Sequence, residues 1–229
     1  MPWSVGLGGV TSTVNGSIAG TTGISLPFAS NGGAVTAGDV IAVASLWFQS
    51  SGTSFTPTFT DTSSNVTTWN TTGNFSHSVA INGDVAISWG IATSTGACTP
   101  KVVWSDASAG DLELYIGDFV SPGGTVSQDG ALAVSDNTSN ATCIVPAANG
   151  VGASDLLINM MGFGTAANTV VAPWVALGPA QGDQAAYLLN GAGNATPDQT
   201  QTGTATFVSI ILALSAAGGA ATLSISEVN

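Results

Sequence analysis

The chain contains no arginine and only one lysine, Lys101, against 13 acidic residues, for a formal net charge of −12 over 229 residues. Nucleic-acid binding draws its affinity from Lys and Arg that neutralise phosphates, and anionic membrane surfaces are recognised in the same way. One basic residue excludes both classes. Charged residues of either sign make up just 6%, against roughly a quarter in ordinary soluble domains. Thr, Ser, Asn, Gln and Gly must therefore cover the surface. Long apolar runs are missing too: the best, Phe207–Ala217 (FVSIILALSAA), is about half the roughly 20 residues that a membrane-spanning helix needs. The opening MPWSVGLGG lacks the basic and continuous apolar regions of a secretory signal. A surface-type composition without an export signal points to a signal removed beforehand or to release on an assembled particle, and the initial Met favours the second.

Helix signals are scarce. The stretches with helical composition, such as Ala180–Leu189, are short and bounded by Gly and Pro, while β-branched residues and Gly dominate elsewhere and disfavour helix. What the chain does have is strand periodicity. Gly38–Phe48 (GDVIAVASLWF) and Gly83–Thr93 (GDVAISWGIAT) each follow a Gly-Asp turn, and Val85, Ile87 and Trp89 fall on one face at period two. Thr56–Thr60 and Asn65–Trp69 read as a hairpin around the turn Asp61–Asn65 (DTSSN). Further strands are expected at Lys101–Ser105, Asp111–Val120, Ala141–Val145, Asp155–Phe163, Trp174–Leu177, Gln184–Leu189, Gly203–Leu214 and Ala221–Ser226. About ten to twelve strands with frequent turns indicate an all-β fold, an antiparallel β-sandwich of jelly-roll-like type, with a 44% hydrophobic content ample for a core. The expected division is residues 1–36 as an N-terminal arm or first strands, 37–216 as the sandwich, and 217–229 as a C-terminal strand or tail.

Residues with chemical potential are few. His77, the single histidine, lies in Asn74–Ser78 (NFSHS) with no partner nearby in sequence and reads as a surface loop residue rather than a catalytic or metal-binding one. Asp111 and Glu113 share a strand face; a carboxylate pair could serve glycoside hydrolysis, but two on one strand read as a solvated strand start. No Gly-x-Ser-x-Gly elbow or phosphate-binding loop with Lys occurs. No catalytic, cofactor-binding or metal-binding residue is therefore assigned. Asp61 with Asn65, and Asp136 with Asn137 and Asn140 (DNTSN), form oxygen-rich segments that calcium could use; turn chemistry explains them more simply. Cys98 and Cys143 make no zinc site without histidines. They are either two buried thiols or one disulfide closing a loop of about 45 residues, a bridge that would stabilise by roughly 3–5 kcal/mol. Of the six tryptophans, Trp47, Trp69, Trp89 and Trp104 lie in apolar strand patterns and are expected in the core. Trp3 and Trp174 are the two expected at surface contacts, Trp3 as the anchor of an N-terminal arm in a neighbouring subunit.

The order Asp39–Trp47 (DVIAVASLW), Thr56–Trp69 (TPTFTDTSSNVTTW), Val85–Ile91 (VAISWGI) and Leu112–Phe119 (LELYIGDF) resembles a Thr/Ser/Gly-rich β-sandwich domain of phage virion proteins and bacterial surface proteins. Asp155–Met161 and Phe207–Leu214 resemble its last strands. The likeness covers roughly Ala37–Ala216 and departs from the pattern at Ser64-Asn65, where Gly-Asn is usual, and in the lack of basic residues. It implies a structural or binding module and carries over no active site. The expected role is a non-enzymatic subunit on a virion exterior, a capsid decoration or fibre, assembled with copies of itself, for example as a trimer, and docked on a capsid or tail protein. The alternative is a carbohydrate-binding or adhesin module, extracellular or on a cell surface.

Overall fold

The computed structural model describes residues 1–48, 54–71, 75–78, 81–130, 133–140, 152, 154–163, 168–179, 183–191, 199–201 and 205–217. Among these the chain is all-β and antiparallel, with a single 3-10 turn at Asn31–Gly33 and no α-helix. In chain order the strands are β1 (Ser4–Ala19), β2 (Ile24–Ser25), β3 (Ala34–Val35), β4 (Val40–Phe48), β5 (Pro57–Asp61), β6 (Phe75–Ser78), β7 (Gly83–Ile91), β8 (Gly96–Ala97) and β9 (Pro100–Trp104). They continue as β10 (Ala109–Val120), β11 (Val126–Gln128), β12 (Ala133–Asn140), β13 (Asp155–Phe163), β14 (Asn168–Val170), β15 (Val175–Ala176), β16 (Gln184–Gly191), β17 (Gln199–Gln201) and β18 (Ala205–Ala216).

Three sheets form the body. The middle sheet runs β1-β10-β4-β7-β6. One of its faces packs on the sheet β11-β18-β13-β16-β15, the other on the small sheet β2-β9-β5. The period of two sorts residues between these faces. Along β4, Val40, Ala42, Ala44 and Leu46 meet Ile158, Met160, Ile210 and Leu212. The alternate residues Ile41, Val43 and Trp47 meet Phe59, Val102 and Trp104. A strand covered on both faces has no reason to alternate in polarity, which explains the unbroken apolar run VIAVASLWF. The outer β5 does alternate, with Thr58 and Thr60 exposed and Phe59 buried. A third, smaller cluster of Leu157, Trp174, Ala186, Ile211 and Ala213 covers the outer face of the β13-β18 sheet.

Several expectations change. The hairpin around Asp61–Asn65 does not form: β5 pairs with β9 instead, Pro57 opposite Trp104, and the only pairing found in 65–70 is the isolated bridge Asn70–Trp89. Of the two readings of residues 1–36, first strands is what is found, since β1 pairs with β10 along most of its length. Asp136–Asn140 lies within strand β12, not in a loop. The strands expected at Ala141–Val145 and Ala221–Ser226 lie outside the described residues, as does Cys143. Cys98 is a free, buried thiol, so a bridge between the two cysteines is likewise outside them.

Candidate functional site

Eight of the 13 acidic residues are buried: Asp39, Asp61, Asp84, Asp106, Glu113, Asp118, Asp155 and Asp183. With one lysine in the chain and no arginine, lysine and arginine cannot neutralise eight buried acids, and a buried charge without compensation is costly. Hydrogen-bond donors take much of that part.

Asp61, at the end of β5, gathers four backbone N–H groups. Oδ1 accepts from Ser63 at 2.9 Å and Thr99 at 2.8 Å. Oδ2 accepts from Asn65 at 2.7 Å and Val66 at 3.0 Å. Asn65 continues the knot: its Oδ1 accepts from the Ser94 N–H at 3.0 Å, and its carbonyl accepts from the Thr93 hydroxyl at 2.7 Å. Turn chemistry therefore accounts for the Asp61–Asn65 segment, because the oxygens that calcium would use are already engaged. Cys98 packs beside this knot. Burial, then the charges of Asp61 and Asp118, push its thiol far above the ordinary value, so it is not a reactive thiolate.

Asp106 is held differently. Burial would raise it, but hydrogen bonds from the Ser108 side chain and backbone, the Trp47 indole and the Ala107 backbone leave it below the ordinary carboxylate value; the indole bond is 3.0 Å. Asp118, on β10, accepts the Gly8 N–H of β1 on Oδ2 at 2.8 Å, while its Oδ1 is buried without a hydrogen-bond partner among the described residues. Burial and the neighbouring Asp39 together push Asp118 up to about 7. Asp155 accepts the Gly152 N–H at 2.8 Å, yet burial first, and then the nearby Asp129, push it up to about 6.

The solvated strand start expected at Asp111 and Glu113 holds for the first residue only. Asp111 is exposed whereas Glu113 is buried, its Oε2 2.6 Å from the Tyr115 hydroxyl, which is also 2.7 Å from the Asp183 carbonyl. Burial raises Glu113 above the ordinary carboxylate range, and the hydrogen bond it accepts from Tyr115 works against that rise.

His77 is not a loop residue. It lies in β6 opposite Asp84, with Nδ1 3.0 Å from the buried Asp84 Oδ1. Trp3 and Trp174, expected at surface contacts, are buried at 2% and 5% exposure. Trp3 belongs to the main core, where its backbone N–H donates to Asn190 Oδ1 at 2.9 Å; Trp174 fills the outer cluster. Neither indole is available to anchor a neighbouring subunit. The sequence signals for the buried acids were present but unread: Asp118 and Asp84 sit inside apolar strand runs, where an acid must find a partner.

Among the described residues, two shallow grooves flank residues 67–70. One, of about 280 Å³, is lined by Phe59, Asp61, Val66 and the half-buried Trp69, whose ring lies 6.3 Å from that of Phe59. The other, of about 260 Å³, is lined by Asn70, Trp89, Ile91 and Thr93. Both fall below the usual size of small-molecule sites. Among the described residues no cluster of His, Cys, Asp and Glu could hold a metal ion, and no helix is long and apolar enough to cross a membrane. Comparison with protein-family models, with curated proteins and with solved structures finds no match to the chain in any of the three.

Proposed function

We propose that this chain is a non-enzymatic structural subunit of a virion exterior, of the capsid-decoration or fibre type. The observation that supports the reading best is the use made of its acids. Eight of the 13 acids are built into the fold, several of them as acceptors for backbone N–H groups, and the two grooves among the described residues are shallow. A three-layer sandwich with a hydroxyl-rich surface suits a particle exterior, where durability matters more than chemistry. The test is mass spectrometry of particles banded on a density gradient from a culture carrying the gene. Peptides of this chain at constant stoichiometry in the particle band support the reading. Their confinement to the cells or the particle-free fluid overturns it.

A carbohydrate-binding module is the second reading, favoured by the Phe59–Trp69 groove with its threonine rim. Aromatic faces bordered by hydroxyls suit sugar rings. Five of the six tryptophans are buried, so the reading rests on Trp69. Oligosaccharide titrations followed by tryptophan fluorescence decide it: a saturable change lost in Trp69→Ala supports it, and no change across a glycan panel removes it.

A further inference from the structure

We propose that Asn31–Gly32 is a self-modification site, at which the folded chain converts an asparagine amide to an acid ahead of its other described Asn-Gly pairs. Asparagine is a thermally labile residue. Its amide is lost when the backbone nitrogen of the following residue attacks the side chain. A following Gly leaves that approach unhindered, because it carries no Cβ. Asn-Gly occurs five times in the chain, beginning at Asn15, Asn31, Asn82, Asn149 and Asn190; the pair at Asn149 lies outside the described residues. The dipeptide is the same in each, and the fold separates the remaining four.

Asn31 and Gly32 are both exposed and form the centre of a tight turn, with φ of 49° and 62°. The Gly33 N–H closes that turn on the Ser30 carbonyl at 2.9 Å, and positive φ at both central residues is the turn geometry that Asn-Gly favours. Nothing lies within 4 Å of the place a Gly32 Cβ would take, so the peptide between the two residues has room to rotate into the attack. The Asn31 amide makes no hydrogen bond among the described residues. The other three pairs are restrained. Asn190 holds the Trp3 backbone with both ends of its amide, accepting at 2.9 Å and donating at 3.3 Å. Gly83, which follows Asn82, is paired on both sides, with Phe48 of β4 and Ser78 of β6. Asn15 is laddered to Leu112, and an Asp111 carboxylate oxygen stands 2.6 Å from the place a Gly16 Cβ would take; a deprotonated nitrogen beside that carboxylate is disfavoured by like charge.

The chemistry needs only water. The Gly32 nitrogen gives its proton to hydroxide and bonds to Asn31 Cγ. The Cγ–Nδ2 bond breaks, and the amide nitrogen takes a proton from water and leaves as ammonia. Water then opens the cyclic imide at either carbonyl, which leaves aspartate or its β-linked isomer at position 31. No oxidant or reductant takes part. The β-linked product lengthens the main chain next to Gly33, whose carbonyl accepts the Cys98 N–H at 3.0 Å, so conversion loosens the joint between this turn and the residue that follows β8.

The experiment incubates the full chain in mildly alkaline heavy-oxygen water, so that each acid formed carries the label, and maps its peptides by mass spectrometry over time. In the folded chain, label at Asn31 is expected to lead that at Asn15, Asn82 and Asn190 on the order of tenfold, since opening those pairs breaks at least one further hydrogen bond. In urea the four converge. Gly32→Ala, with an unchanged circular dichroism spectrum, removes the lead. Folded protein in which any of the other three keeps pace with Asn31 overturns the proposal. So does an Asn31 that stays unlabelled while the chain in urea converts, a lead of the same size in urea, or a Gly32→Ala protein that converts as fast as wild type. The inference is independent of the virion reading, since it concerns the chain alone.

Discussion

Replacing Asp118 by Asn should flatten the pH dependence of stability. The folded chain holds a proton on Asp118 up to about pH 7, whereas an unfolded chain releases it near the ordinary value of 3.8. Between those values the native state binds more protons than the unfolded one, so stability falls as pH rises through the window and is greatest at its acid end. Moving from about pH 8 to about pH 5 then stabilises wild-type protein by about 2–3 kcal/mol through this group alone. For a domain of this size that raises Tm by roughly 5–10 °C. Asn keeps an oxygen for the Gly8 N–H, so the clasp between β1 and β10 survives without the titration. Asp155 and Glu113, both raised, add to the acid stabilisation in both proteins; Asp106, lowered, opposes it only below its ordinary value. The difference between the two curves therefore isolates Asp118. Thermal unfolding of both proteins across this range, followed by circular dichroism, is the assay. Parallel curves, or a wild-type protein less stable at pH 5 than at pH 8, would refute a raised Asp118 carboxyl.

Two further substitutions test the fold. Asp61→Ala strands four backbone N–H groups in a buried turn and should cost at least about 3 kcal/mol, read from the urea midpoint; a loss under about 1 kcal/mol would mean that the turn holds itself. Trp3→Ala should cost about 3–5 kcal/mol despite its place near the chain terminus, because the indole is part of the main core; a near-neutral effect would return the first residues to the status of an arm.

The sheet strands of the core were legible because hydrophobic content and period agree in them. β4, β7, β10 and β13 were each expected within a few residues of where they lie. The Asp61–Asn65 hairpin failed for a reason that sequence reading can seldom reach. Its turn signal was genuine, but the Asp61 carboxylate draws in the N–H of Thr99 from a distant segment, and β9 takes the pairing that a local return strand would have made. Trp3 misled in a similar way: terminal position suggested exposure, while the decisive contact, with Asn190, lies across nearly the whole chain.

The acids show why a site was harder to read than a fold. Net charge was taken as a property of the surface, yet most of the carboxylates are inside. In a chain with 13 acids and one lysine, interior acids lean on neutral donors: Asp61 on backbone N–H groups and Glu113 on the Tyr115 hydroxyl. Burial raises Asp118 and Glu113 above the ordinary carboxylate range, and both shifts favour the folded state as pH falls. A protein so built gains stability in mild acid, the reverse of the usual response of native ion pairs, which lose their carboxylate charge there. The property follows from the missing basic residues, since with Lys or Arg beside Asp118 and Glu113 their protons would be displaced and the pH response would reverse.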